Sequence, residues 1–193
     1  VFPAAAAAFP CHHPVRRPFL LRRALTLMSA SAASIVAGSN QAKDFLLEIR
    51  DVTLPNEPVR EVHVLDTGPC TSSTIDAPPL ILIGGTAQVI ASWLGHIAAL
   101  SKDRRLIIYE ARGQGRRTDL DLEQASLDTH IEDFRRVHAA LQLSGPVDLC
   151  GFSFGGRVSL GVAAQAPELV RRLVLTGVPA ERDAVGRLIL ASW

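Results

Sequence analysis

Ser153 is the residue whose surroundings could most readily do chemistry in this 193-residue chain. It stands in Gly151-Phe152-Ser153-Phe154-Gly155, with a further glycine at Gly156. Val147-Asp148-Leu149-Cys150 before it is a short, mostly apolar run. Arg157 to Ala166 after it reads as helix until Pro167 stops it. A G-x-S-x-G turn set between a strand and a helix is the context in which a serine becomes a nucleophile. The turn must be tight enough to lift the hydroxyl clear of the sheet, and that strains the backbone. Gly151 and Gly155 are expected to relieve the strain, because a Cβ at either place would collide with the neighbouring element. The hydroxyl then lies at the amino end of a helix, whose dipole and free N–H groups favour developing negative charge. The plainer alternative is a glycine-rich loop with an incidental serine; the flanking strand and helix favour the nucleophile.

A serine nucleophile needs a base, and the histidines are badly placed for that. His12, His13, His63, His96, His130 and His138 all precede Ser153. His96, His130 and His138 fall on predicted helices and are expected at the surface or in helix packing. His12-His13 has no ligand partners at metal spacing. The cysteines, Cys11, Cys70 and Cys150, are odd in number and lack C-x-x-C spacing, so neither a zinc site nor a disulfide framework is indicated. Cys150, in the strand before the turn, is expected to be a small core residue. No pattern implies a metal or an organic cofactor.

The elements that would position Ser153 read as follows. Phe45 to Arg50 and Arg60 to Leu65 look like two strands of a hairpin joined through Pro55-Asn56-Glu57-Pro58. Residues 67–79 form a surface loop. Leu80-Ile81-Leu82-Ile83, ending in Gly84-Gly85, is a continuous apolar run of the kind a buried parallel strand requires. Val89, Ile90, Trp93, Leu94, Ile97 and Leu100 recur at helical spacing, and Leu106-Ile107-Ile108-Tyr109 is the next strand. Leu127, Ile131, Phe134, Val137 and Leu141 mark a helix closed by Gly145-Pro146. Leu173-Val174-Leu175 follows the Ser153 helix, and a last helix starts near Pro179. Strands alternating with such helices predict an α/β fold, a mostly parallel sheet with helices on both faces.

Net charge is +1, but its distribution is uneven. Residues 1–43 hold Arg16, Arg17, Arg22, Arg23 and Lys43 and no acid, leaving 15 basic against 19 acidic residues in the rest. A slightly acidic body gives no support to nucleic-acid binding. Alanine runs, prolines and paired arginines without an acid suit an organelle-targeting or disordered leader, with the folded unit running from 44 to 193. Ala4 to Phe9 before Pro10 resembles the cleavage junction of plastid-targeting leaders. Arg16-Arg17-Pro18-Phe19-Leu20, and then Arg22-Arg23 before Ala24 to Gly38, resemble twin-arginine signals. A plastid is the expected address, with the mitochondrion as the alternative. Ala24 to Gly38 is too short and too rich in Ser and Ala to span a bilayer.

Three stretches together resemble the α/β-hydrolase superfamily, in its serine-nucleophile branch, over roughly residues 44–193. They are Leu82-Ile83-Gly84-Gly85-Thr86, Glu110-Ala111-Arg112-Gly113-Gln114-Gly115, and the Ser153 turn with Pro167 to Leu175 after it. The resemblance implies that Ser153 is the nucleophile and that the backbone N–H groups of Phe154 and Thr86 form the oxyanion hole. Gly84, Gly85, Gly151 and Gly155 would be structural at the site. Gly84 stands where the family usually has His, and Glu110 where it usually has Asp. Glu110 is expected to be structural, shaping the loop beside the site with Arg112 and the two glycines.

In that family the order is nucleophile, acid, histidine, and here no histidine follows Ser153. Pro179, Glu181 and Asp183 open a helix whose stripe of Val185, Leu188, Ile189 and Trp193 meets no terminating glycine. The first residue is Val. The expectation is therefore the amino-terminal part of a larger protein, cut after about the sixth strand, without cap, acid or histidine.

The expected function is hydrolysis of an ester, thioester or related carbonyl through an acyl-enzyme, inactive in the chain as written. The substrate is a small molecule that the sequence does not name, and oligomeric state is left open. The alternatives are a catalytically silent binding protein of the same fold, or a lyase or synthase using the same turn. A dinucleotide-binding oxidoreductase is excluded, because Gly84-Gly85-Thr86-Ala87-Gln88 lacks the third glycine of G-x-G-x-x-G.

Overall fold

The computed structural model describes residues 42–49, 60–70, 77–115, 126–179 and 181. The leader up to residue 41, the hairpin turn at Pro55 to Pro58 and the helix expected from Val185 to Trp193 lie outside them. Within them, six strands form one sheet: β1 Lys43–Ile49, β2 Arg60–Asp66, β3 Leu80–Ile83, β4 Leu106–Tyr109, β5 Val147–Phe152 and β6 Val170–Thr176. The helices are α1 Leu94–Leu100, α2 Leu127–Ala140 and α3 Phe154–Gln165, with short 3-10 turns at Ile90–Trp93 and Pro167–Leu169.

The strand order is β1-β2-β4-β3-β5-β6. β1 and β2 pair antiparallel, as the hairpin reading required, and β2 joins β4 antiparallel. From β4 onward every pairing is parallel: β3 with β4, β3 with β5, and β5 with β6. β3 and β4 are the two innermost strands, and cover on both faces of the sheet is why the residues of β3 are all large and apolar. Ile81 and Ile83 face one layer together with Ile107, Tyr109 and Leu149, and α2 and α3 close it with Ile131, Phe134, Val137, Val158 and Val162. Leu82 faces the other layer with Leu106 and Ile108, where Ile90, Trp93 and Ile97 cover it. Each such fully buried side chain contributes roughly 1.5–3 kcal/mol. Helices therefore cover both faces of the sheet.

α2 starts on Ser126, whose Oγ accepts from Thr129 N–H at 3.1 Å. It ends earlier than Leu141 and not at Gly145. Gln142 takes φ 52, its N–H donates to Ala139 O at 2.9 Å, and Leu143 N–H donates to His138 O at 3.2 Å. Those two bonds make a Schellman stop in which Gln fills the usual glycine place. Two further details depart from the sequence reading. β1 begins at Lys43, paired with Asp66, where the sequence reading starts the strand at Phe45. Cys150 is half-buried and not in the core, because its neighbour Val174 on β6 is 56% exposed. Burial still pushes its thiol pKa up.

Candidate active site

Ser153 sits between the end of β5 and the start of α3, exposed, with φ 50 and ψ −110. L-residues other than glycine rarely hold this conformation, at a cost of about 1–3 kcal/mol that the surroundings must cover. They do so from two sides. Ser153 N–H donates to Thr176 O at the end of β6, 2.8 Å away, and Ser153 O accepts from Arg157 N–H at 3.2 Å. The turn is thus tied to the next strand and to the first turn of its own helix.

The glycines of the turn stand where backbone leaves no room for a side chain. A Cβ on Gly151 would lie 2.6 Å from both Gly155 O and Gly156 Cα. One on Gly155 would lie 2.6 Å from the Ile83 carbonyl carbon, at the end of β3. Both are backbone obstacles, which cannot swing aside as a side chain would. α3 therefore presses directly on the ends of β3 and β5, and its first N–H groups, which have no intrahelical acceptor, open beside Ser153.

The loop after β3 forms the other wall. A Cβ on Gly85 would stand 3.1 Å from Ser153 Cβ, so the Gly85 backbone lies against the serine. One on Gly84 would press on Gln88 Cβ at 3.0 Å. Gln88 closes the loop from inside: Gly85 N–H donates to its Oε1 at 2.6 Å, and its own N–H donates to Gly85 O at 3.1 Å. The sharp return puts Ala87 at φ 62, and Thr86, between Gly85 and Ala87, is exposed. Phe154 packs its ring edge-on against His130 at 4.9 Å, and Phe152 packs on Trp93 at 4.6 Å. The structure thus brings Ser153, Phe154, Gly84, Gly85, Gly151 and Gly155 together, with Thr86 on the adjoining loop.

The described histidines are engaged elsewhere. His96 is exposed beside Trp93, and buried His138 has Nε2 3.0 Å from Gly145 O. Burial holds the His130 pKa below its ordinary value, against the pull of Asp133. His63 is the one that sequence reasoning passed over. It is buried on β2, with Nε2 bonded to Asp44 and Nδ1 3.0 Å from Glu110 Oε2. Burial alone would depress its pKa, but the hydrogen bond to Asp44 and the Glu110 carboxylate lift it to about 9. Its signal in the sequence is weak: an ionisable residue between Val62 and Val64 in a strand that already carries Arg60, Glu61 and Asp66.

Arg112 and Asp133 form a bidentate pair at 2.9 and 2.5 Å, which fastens the loop after β4 to α2. Asp133 and burial together drive the Tyr109 phenol far above its usual pKa, burial being the larger cause. Among the described residues no group of three or more His, Cys, Asp or Glu is arranged to hold a metal, and no helix is long and apolar enough to cross a membrane.

Comparison with known proteins agrees with this geometry. The family described as the alpha/beta hydrolase fold matches residues 78–189. The chain is 34% identical to the pimeloyl-[acyl-carrier protein] methyl ester esterase of Nitrosomonas europaea, across 59% of this chain and 40% of that protein. It is also 34% identical to the (E)-2-((N-methylformamido)methylene)succinate hydrolase of Acinetobacter baylyi, across 65% of this chain and 46% of that protein. Among solved structures it resembles MGS-M2, an alpha/beta hydrolase enzyme from a Medee basin deep-sea metagenome library. The TM-score is 0.60 at 20% identity, covering 69% of this chain and 46% of that one, a likeness of fold. The chain spans less than half the length of these proteins. With the strand order, the glycine-lined turn and a family match over more than half its residues in agreement, the chain belongs to the α/β hydrolase fold family.

Proposed function

We propose that this chain carries the nucleophile half of a serine hydrolase acting on an ester, thioester or related carbonyl. One observation carries the reading: the strained φ 50, ψ −110 backbone of Ser153 between β5 and α3, held under Gly85. Strain of this kind lifts the hydroxyl out of the sheet and aims it at whatever lies above the strand ends. Ser153 Oγ attacks the substrate carbonyl carbon, and the C=O π electrons move to oxygen. The N–H groups of Phe154 and Thr86 receive that oxyanion. Collapse of the adduct expels the alcohol or thiol and leaves an acyl-serine, which water then hydrolyses.

The proton of Ser153 needs an acceptor, and an acid must orient that acceptor. In the family both follow the nucleophile in sequence, and here no histidine does. The acid and the histidine are therefore assigned to sequence beyond these 193 residues, in line with the under-half coverage of the relatives. Those relatives are named for a methyl ester and for a substituted succinate, which supports hydrolysis as the reaction class without selecting one substrate.

The test compares the 193-residue chain with the protein extended along its reading frame, on a short-chain aryl ester. We expect turnover only from the extended protein, reduced by several powers of ten in Ser153→Ala. Turnover that survives Ser153→Ala would overturn the assignment.

A further inference from the structure

Glu110 lies at the carboxyl end of β4, buried, and its carboxylate reaches two other elements. Oε1 accepts from Ile90 N–H at 3.0 Å, and Ile90 opens the 3-10 turn at the far end of the Gly84–Val89 loop. Oε2 lies 3.0 Å from His63 Nδ1, whose other ring nitrogen pairs with Asp44 on β1. The backbone repeats the link, since Glu110 N–H donates to His63 O at 3.0 Å. Gly115, at φ 64, comes so close to the carboxylate that a Cβ there would overlap it. A carboxylate this enclosed has little freedom to choose another rotamer.

The loop carrying Thr86 is therefore fixed at both ends. At its start the β3 ladder pairs Ile83 with Tyr109 and with Gly151. At its far end the Ile90 side chain is buried in the apolar layer over the sheet, and its backbone N–H is held by one oxygen of Glu110. Between them Gln88 braces Gly85. We propose that Glu110 is a positioning residue for the oxyanion loop: its carboxylate holds Ile90 N–H and so sets Thr86 N–H against Ser153, while His63, backed by Asp44, keeps the carboxylate turned that way. The inference rests on the roles given above to Ser153 and Thr86.

Its physical basis is reach and charge. A carboxylate accepting from a backbone N–H makes a bond roughly twice as strong as a neutral one, and stronger still where water is excluded. With His63 charged at neutral pH, the imidazolium is held between two carboxylates, Nε2 hydrogen-bonded to Asp44 and Nδ1 facing Glu110 Oε2 as an ion pair. An oxyanion donor works only at the right distance, and losing one costs about 10²–10³ in kcat. A loosened anchor should cost less than a lost donor, and it should act on kcat.

The experiment uses the protein carrying its full reading frame. In Glu110→Ala, amide hydrogen exchange at Ile90 should speed up at least tenfold while α3 amides keep their protection. In the same variant kcat on an aryl ester should fall on the order of tenfold with KM within about twofold, because the oxyanion forms only in the transition state. Glu110→Gln keeps an acceptor for Ile90 but not the charge, and should restore part of both readouts. Wild-type exchange at Ile90 in Glu110→Ala, or a raised KM with kcat intact, would overturn the proposal. If Glu110→Ala loses protection throughout, Glu110→Asp decides. It keeps the charge one methylene short, so a loosened Ile90 beside a protected α3 supports the anchor and an unchanged Ile90 refutes it. Ser153→Ala run alongside separates the two levels: retained turnover there sinks the site reading, whereas an essential Ser153 with an indifferent Glu110 sinks only the anchor.

Discussion

The two ends of the sheet are held by different physics. At the carboxyl ends of β3, β4 and β5 the fit is backbone against backbone, with Gly151 and Gly155 leaving no space for a methyl group and a buried Asp44-His63-Glu110 line behind them. At the opposite end, ion pairs near solvent gather the strands. Asp148, at the start of β5, takes Arg104 at 2.6 Å and Arg171 at 2.6 and 2.8 Å, and Arg105 grips Asp66 at 2.6 and 2.9 Å. The arginine side chains there are 24–34% exposed, whereas the His63 and Glu110 side chains are 6% and 5% exposed. Pairs whose arginines reach solvent fade with salt, even over carboxylates only 9–11% exposed, whereas buried close packing tolerates almost no exchange. The reactive candidate stands at the rigid end.

The largest effect follows from that rigidity. Gly155→Ala drives a Cβ into the carbonyls at the end of β3, which are sheet backbone and cannot move without breaking the ladder. Destabilisation of about 3 kcal/mol or more is expected, read as a fall in the denaturant midpoint or as loss of soluble protein. A neutral Gly155→Ala would show that the two ends do not differ in kind.

The pH response should separate the ends next. His63 has its pKa raised to about 9 in the fold against an ordinary 6.5. Its stabilisation is therefore complete below pH 6.5 and is lost as pH rises through 9, by as much as about 3 kcal/mol. Asp148 runs the other way. Arg171, opposed by burial and helped by Arg104, holds its carboxyl below the ordinary 3.8. Its contribution, screened by solvent, is present above pH 3.8 and is lost as pH falls through the depressed value. Urea midpoints across pH 3 to 10 should show a salt-resistant loss on the alkaline side that disappears in His63→Gln. The acid-side loss should shrink with salt and in Asp148→Asn. An alkaline limb that survives His63→Gln would assign it to another group.

What could be read in the sequence, and what could not, follows the same division. Leu80 to Ile83 and Leu106 to Tyr109 are legible because burial on both faces demands an unbroken apolar run. The Ser153 turn is legible because only glycine fits at Gly151 and Gly155, and identity at such places is not negotiable. Both signals are local. His63 was invisible because its partners Asp44 and Glu110 come from other strands, and only the β1-β2 and β2-β4 registers bring them together. Gln142 is not legible as a helix terminator because a glutamine in left-handed conformation carries no compositional mark, while Gly145 nearby does. Cys150 reads as a core residue because strand patterning shows which face a residue takes but not whether that face is covered over Val174.

The smallest effect compares two strained residues on neighbouring loops. Ser153 and Ala87 both hold positive φ, 50 and 62, Ala87 on the loop whose Gly85 lies against the serine. If strain there serves function, relieving it should have different consequences at the two places. Ala87 contributes no group that the proposed chemistry uses, and its left-handed backbone costs roughly 1–2 kcal/mol with a Cβ present. Glycine removes that cost but returns about 0.5–1 kcal/mol of unfolded-state entropy. Ala87→Gly should therefore stabilise by about 0.5 kcal/mol, a rise of 1–3 °C in Tm by order of magnitude, with Gly85 N–H still on Gln88 and turnover of the extended protein unchanged. Ser153→Gly should stabilise by a similar or larger amount and abolish turnover. Calorimetry on the two variants, with the ester assay alongside, makes the distinction. If Ala87→Gly also abolishes turnover, the Ala87 conformation is part of the site's working geometry, and strain would not be concentrated at the serine.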